Sequence, residues 1–324
     1  MEKNTLIVNF GGPRNLDEIE SFLIELLTDE DVIRTPFPSF LQRSFFTRIA
    51  KKRTLKVKHD YEQIGGRSPI FEDTEAVAEA MRRMTGHRIA TFHRYLLETH
   101  ASSLQKIADF GARETLVFPM FPQFSYATTG SIARFFQKNL PEEQVAKLRW
   151  IKSYATHPAY IRAMQSCIRE YLAEQKLAEK EVVLLFSAHG LPQKFVNRGD
   201  PYQQECVASF FAIAEAFPLA ISNLSYQSKF GRGEWLRPYT DEVCESIRSW
   251  NQDRVHVVLI PLSFTSDHIE TLFEIETLYL TKIREAGLKA YRCPALNQRP
   301  DWLAAIPQIL HDGPHSENSP LIRQ

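Results

Sequence analysis

A histidine and three carboxylates sit at the ends of two apolar runs in this chain. Val182 to Phe186 is unbroken hydrophobic sequence and passes straight into Ser187, Ala188 and His189. A second run ends at Pro261, and Asp267, Glu270 and Glu274 follow it. Their i, i+3, i+7 spacing stacks three acids along one side of a helix. A histidine titrates near neutral pH and can act as acid, base or metal ligand. Three adjoining acids repel unless they are solvated, paired with cations or partly protonated. His189 beside Glu270 would make half of a catalytic triad with Ser187, a divalent-metal site or a proton relay. Ser187 lacks the G-x-S-x-G setting of a nucleophile, which argues against the triad. Two or three ligands fall short of a stable zinc site. A metal in transit, accompanied by proton transfer, fits better. Taken alone, these residues leave the plainer readings open: a loop histidine bonded to nearby backbone, and a solvated acidic face suited to a helix N-terminus.

The elements that must position these groups alternate. Continuous apolar runs predict buried strands at 5–10, 87–95, 114–120, 148–153, 181–188, 219–227, 255–261 and 288–293. Helical spacing predicts helices near 19–27, 70–84, 101–109, 157–175, 202–217, 239–250, 268–286 and 300–311, with Thr240 as an N-cap. Such alternation means α/β architecture with parallel sheets and right-handed crossovers. The two halves are alike. They predict two Rossmann-like, doubly wound domains, 1–150 and 151–312, with the last helix able to pack back on the first. A frayed polar tail is expected at 313–324. Ligands in open α/β sheets bind outside the carboxyl ends of strands, where His189 falls. The first strand leads into Gly11-Gly12-Pro13 with no later glycine, which argues against a dinucleotide or P-loop site.

The 324 residues carry 39 basic and 39 acidic side chains, so no bulk charge attracts nucleic acid or anionic lipid. The cysteines (Cys167, Cys206, Cys244, Cys293) are widely spaced, which excludes a CxxC clip and a disulfide framework. No signal peptide or membrane-length apolar run is present, so a cytoplasmic location is expected. The stretch 36–46 is rich in Phe and Pro and is followed by Arg48, Lys51, Lys52 and Arg53. It reads either as a helix packing its Phe residues inward or as an exposed apolar lip with a basic flank, able to touch a membrane or a greasy ligand.

Several blocks together resemble one family. Leu185-Phe186-Ser187-Ala188-His189-Gly190-Leu191-Pro192, followed by Asn197-Arg198-Gly199-Asp200-Pro201-Tyr202, is similar to the ferrochelatase signature. Asn9-Phe10-Gly11-Gly12-Pro13, Ile64 to Pro69, Pro122 to Ser125, Thr128 to Ser131, Tyr226 to Lys229 and Ser263 to Glu270 agree in order, so the resemblance covers nearly the whole chain. It implies a chelatase-like pair of Rossmann domains with porphyrin in the cleft between them. It further implies a lyase of haem biosynthesis that inserts Fe2+ into protoporphyrin IX, with Fe2+ as substrate and no permanent cofactor. His189 becomes the active-site histidine and, with Glu270, a metal-binding pair, Glu270 facing it across the macrocycle. Glu274 and Asp267 continue an acidic path. Arg53, Tyr61 and Ser68 match positions that hold propionates. Arg94 and Tyr95 match a pair on the far side of the iron site. Phe10, Trp235 and Phe264 match residues against the ring. The exposed reading of 36–46 is favoured, with peripheral membrane contact.

Two departures matter. The C-terminal cysteine cluster of animal members is missing, and Tyr126 occupies the one internal cysteine position, so no [2Fe–2S] cluster is expected. Phe10 cannot ligate metal. A chelatase for coproporphyrin or another metal, and a haem- or porphyrin-binding carrier, are the alternative readings.

Overall fold

Strands that are apolar on both faces belong in the middle of parallel sheets, and β1 (Asn4–Asn9) is buried at every position. The computed structural model describes residues 4–35, 38–111, 113–231 and 233–322. It divides into two units: Met1–Ser153 with Pro307–Gln324, and Tyr154–Ile306.

In the first unit α1 (Ile19–Thr28), α2 (Ser39–Glu62) and α3 (Ile70–Thr85) separate β1 from β2 (Arg88–His93). Then come α4 (Leu97–Ala108), β3 (Thr115–Pro119), α5 (Ser131–Asn139), α6 (Glu142–Val145) and β4 (Leu148–Ile151). In the second unit α7 (Pro158–Glu174) leads to β5 (Val182–His189), then α8 (Gln193–Val196), α9 (Tyr202–Ala214) and β6 (Ile221–Gln227). α10 (Thr240–Glu245), β7 (His256–Pro261), a π-helix (Glu270–Tyr279), α11 (Leu280–Glu285) and β8 (Lys289–Arg292) follow. α12 (Pro300–Asp312) carries the chain out of the second unit, and β9 (His315–Ser316) ends in the first.

The sheets run β2-β1-β3-β4-β9 and β6-β5-β7-β8. All pairings are parallel except β4 with β9. Each unit therefore starts its sheet in the middle and winds both ways, the doubly wound α/β fold. The winding reverses between β1 and β3 and again between β5 and β7. Ligands gather at such switch points, outside the carboxyl ends of the strands. His189 ends β5 at the second one.

Three local expectations are corrected. Thr240 does not cap α10: its hydroxyl is buried and bonds Ser225 and Ser187 instead, and the helix breaks after Glu245. The helix expected over 268–286 is wound as a π-helix from Glu270 to Tyr279. The tail is not frayed through residue 322. Its polar composition hid three anchors. β9 pairs with β4, Asn318 Nδ2 donates to the Ala133 carbonyl at 3.1 Å, and Leu321 is fully buried in the first unit's core. Gly130 is needed there, since a Cβ would lie 2.7 Å from the Leu321 carbonyl oxygen.

Among the described residues no helix is long and apolar enough to cross a membrane. Of the stretch 36–46, Pro36 and Phe37 lie outside the described residues. The rest is mostly the first turns of α2. Phe46 points inward, while Phe40 is 71% and Phe45 57% exposed. Arg48, Lys51 and Lys52 are exposed on the same helix.

Leu321→Ala should cost about 2–5 kcal/mol, as for a large core side chain cut to alanine, read as a lower urea midpoint. An unchanged midpoint would restore the frayed tail.

Candidate active site

The end of β5 is held rigidly. The His189 N–H donates to Ser263 Oγ at 2.9 Å, and its carbonyl accepts from Tyr202 Oη at 2.9 Å. Gly190 follows because the backbone there touches β6: its N–H donates to the Gln227 carbonyl at 2.7 Å, and a Cβ would sit 2.6 Å from that oxygen. With its backbone fixed, His189 aims Nδ1 at Glu270 Oε2, 2.6 Å away. This corrects the expectation that the two face each other across a macrocycle. They are one hydrogen-bonded pair, on one side of any flat ligand.

The π-helix explains how the acids reach this point. In an α-helix of about 3.6 residues per turn, nine residues make two and a half turns and would put Tyr279 opposite Glu270. Winding with i→i+5 bonds brings residues four and five apart into line. Glu270, Glu274 and Tyr279 accordingly all meet Ser228, at the carboxyl end of β6. Ser228 Oγ lies 3.1 Å from Glu270 Oε2 and 2.5 Å from Glu274 Oε2. The Ser228 N–H donates to Tyr279 Oη at 3.3 Å. Ser228 has φ +63, a left-handed backbone that is strained for a non-glycine residue and typical of functional sites. Asp267 does not share this line. It precedes the π-helix, and its carboxylate is taken by Arg292 (2.9 Å), Asn297 (2.8 Å) and Thr271 (2.7 Å). The predicted stack of three acids is a pair, because the helix does not have α winding.

Charge follows from this arrangement. Burial works against a charged His189, but the Glu270 carboxylate outweighs it and the imidazole pKa is raised; the ring keeps 41% of its side chain exposed. Burial also opposes ionisation of Glu270, yet the cation-forming His189 beside it holds it well below the ordinary carboxylate range. Glu274 has no such partner. Burial and then the charge of Glu270 push it up to about 7. An ionised carboxylate can only accept, so Nδ1 of His189 carries the hydrogen and Nε2 is left as the free acceptor. Ser228 has one proton for two carboxylates, so a protonated Glu274 completes the line by donating to it.

Around this centre, Phe264 stands edge-on to the imidazole with ring centroids 6.4 Å apart. Trp235 packs beside Gly190. Ser187 donates to Gln227, not to a histidine, so no triad is formed. Reasoning from sequence missed Ser228 and Gln227 as members of the site. The block Tyr226 to Lys229 at a predicted strand end was the available signal.

In the first unit, Phe10 follows β1 and packs at a tilt against Tyr95 and Phe121, with centroids 5.3 and 4.8 Å away. Arg94 and Tyr95 converge on Asp29: Arg94 Nη2 at 2.8 Å, Tyr95 Oη at 3.0 Å and Ser131 Oγ at 2.5 Å all reach Oδ2. Burial, then the Asp29 charge, raises the Tyr95 pKa well above its ordinary value, so its hydroxyl keeps its proton. Tyr61 and Ser68 are buried, and Arg53 is half-buried on α2. Among the described residues no group of three or more His, Cys, Asp or Glu side chains is arranged to hold a metal ion.

The ferrochelatase family model matches residues 3–313. A ferrochelatase of Chlamydia caviae is 43% identical over 318 residues, covering 98% of each chain. The chain belongs to the ferrochelatase family. A ferrochelatase of Chlamydia abortus is 42% identical over the whole of both chains. Among solved structures, SirB of Bacillus subtilis, determined with Fe3+, has TM-score 0.55 at 12% identity, covering 96% of this chain and 95% of that one. CbiX, described as the terminal enzyme of sirohaem biosynthesis in denitrifying bacteria, has TM-score 0.51 at 16% identity, covering 95% and 98%. At these identities the two structures speak for the chelatase fold alone. Family membership makes this chain a metal chelatase.

Asp29→Asn should cost about 3–5 kcal/mol, because it leaves the Arg94 guanidinium buried without its counter-charge. The unfolding midpoint in urea reads this; an unchanged midpoint would contradict the network's structural role.

Proposed function

We propose that the chain inserts Fe2+ into protoporphyrin IX, giving protohaem and two protons, as the last step of haem formation. The hydrogen-bonded line His189–Glu270–Ser228–Glu274 carries this reading. Metal insertion exchanges two pyrrole N–H protons for one divalent cation, so the site needs a base, a path for protons and negative charge for the ion. His189 Nε2 is the base, strengthened by Glu270 through Nδ1, as in other His–carboxylate pairs. A proton taken there is held on the imidazolium that Glu270 stabilises, while Glu274, joined to Glu270 through Ser228 and with its pKa pushed up to about 7, takes up and releases protons beside it at neutral pH. The charge of Glu270 also offsets that of the arriving ion. One histidine and one carboxylate are fewer ligands than a tightly held metal takes, which suits an ion that must leave for the ring. Asp267 serves by anchoring the start of the π-helix through Arg292 and Asn297.

Resemblance alone supports the remaining assignments: Arg53, Tyr61 and Ser68 to the propionates, Phe10, Trp235 and Phe264 to the ring, and Arg94 and Tyr95 to the iron side. The exposed Phe40 and Phe45 with their basic flank support peripheral membrane contact of a cytoplasmic enzyme.

His189→Ala should abolish haem formation from protoporphyrin IX and Fe2+, followed by absorbance, while the wild type turns over faster with protoporphyrin than with coproporphyrin. Wild-type rates in the variant would remove His189 from the chemistry; porphyrin binding without metal insertion in the wild type would mark a carrier. The pH profile has a definite sign. A base must be neutral, and Glu270 raises the His189 pKa, so the acid limb of kcat lies above the ordinary histidine value of about 6.5. In Glu270→Gln that limb should move to lower pH, since burial then acts unopposed. An unmoved limb would contradict the pairing. Separately, Phe40→Ser with Phe45→Ser should weaken binding to anionic liposomes; retained binding would exclude the lip as the contact.

A further inference from the structure

We infer that Gln227 is a positioning residue for the Glu270–Glu274 pair, oriented by a buried line of hydroxyls behind it formed by Ser187, Thr240 and Ser225. This deepens the reading above and rests on it. Gln227 ends β6, in register with His189. Its Nε2 reaches the Glu270 carbonyl at 3.1 Å and Glu274 Oε2 at 3.3 Å. It thus ties the first turn of the π-helix to the strand end, by backbone at one point and by carboxylate at the next.

The two ends of a glutamine amide have nearly the same shape, so surroundings must choose which one faces forward. The Glu270 carbonyl can only accept, which demands the N–H end. The oxygen must then face back into a region closed to water. Gln227, Ser187, Thr240 and Ser225 are all buried, the last three completely. A buried amide oxygen with no donor is costly. Ser187 Oγ supplies the donor at 2.7 Å from Oε1. Thr240 Oγ1 lies 2.9 Å from Ser187 Oγ and 2.9 Å from Ser225 Oγ, and Ser225 donates to the Phe186 carbonyl at 3.2 Å. With the Ser187 proton committed to Gln227 and the Ser225 proton to the Phe186 carbonyl, the single Thr240 proton serves one of its two neighbours at a time, and in donating to Ser187 it directs that hydroxyl's own proton onto Gln227. Ser187 and Thr240 touch neither carboxylate and act only through Gln227.

The test is a double-mutant cycle of Ser187→Ala and Gln227→Ala, with kcat and the porphyrin KM measured for each and thermal midpoints recorded. Each single change should lower kcat by about tenfold, the low end for losing a residue that orients a metal-site group, with KM little changed. In the Gln227→Ala background Ser187→Ala should add nothing, because the residue it acts through is gone. Factors that multiply, or an unaffected kcat in Ser187→Ala, would overturn the inference. Thr240→Val gives the same reading one step back, should Ser187→Ala fail to fold: a smaller loss of kcat, also absent without Gln227. Amide exchange keeps this separate from the activity itself. The Gln227 side-chain NH2 resonances should be protected in the wild type and lose protection in Ser187→Ala and Thr240→Val. Unchanged protection overturns the orientation whether or not the wild type inserts iron.

Discussion

The contact between His189 Nδ1 and Glu270 Oε2 is the constraint the second unit is built to satisfy. It needs a histidine at the last residue of a central strand and a carboxylate from the crossover that follows the neighbouring strand β7, brought within 2.6 Å. The strand order β6-β5-β7 places His189 at the switch point, where neighbouring crossovers leave in opposite directions. Ser263 and Tyr202 fix the backbone of His189, and the π-helix supplies Glu270 and Glu274 on a single line. The pair then sets the charges. Glu270 stays ionised because His189 is there, and Glu274 rises because Glu270 is ionised.

The winding of one helix decides how many groups join the site. Ten residues of π-helix align Glu270, Glu274 and Tyr279 on Ser228, and leave Asp267 to a separate ion pair with Arg292. The arrangement carries local cost: a serine with positive φ and a carboxyl group buried near its point of ionisation. Strain of this kind is kept where it serves a site. The first unit has the same strand order with different occupants. Its corresponding region holds the Asp29 network, in which Arg94, Tyr95 and Ser131 fill one carboxylate oxygen.

Much of this was legible in the residues. Unbroken apolar runs marked the buried parallel strands, and β5 and β7 end within a residue of where the pattern breaks. The polar residues at those ends made His189 and Glu270 candidates, and the block resemblance chose between the functional and the plainer readings. The rest was hidden for physical reasons. Period counting assumes α winding, so it put Asp267 beside Glu270. Ser228 and Gln227 are ordinary polar residues whose importance comes from register with His189, which a single strand does not reveal. Thr240 looked like an N-cap because threonine suits that role, yet a buried hydroxyl partner won. The tail looked frayed because composition does not show that one leucine, Leu321, reaches a core.

The central claim is that Glu270 fixes both the tautomer and the basicity of His189. Nitrogen-15 NMR of the histidine-labelled protein over a pH titration tests it most directly. The account predicts that neutral His189 carries its hydrogen on Nδ1, leaves Nε2 bare, and titrates above the ordinary histidine value of about 6.5. A hydrogen on Nε2, or a midpoint below that value, would contradict it.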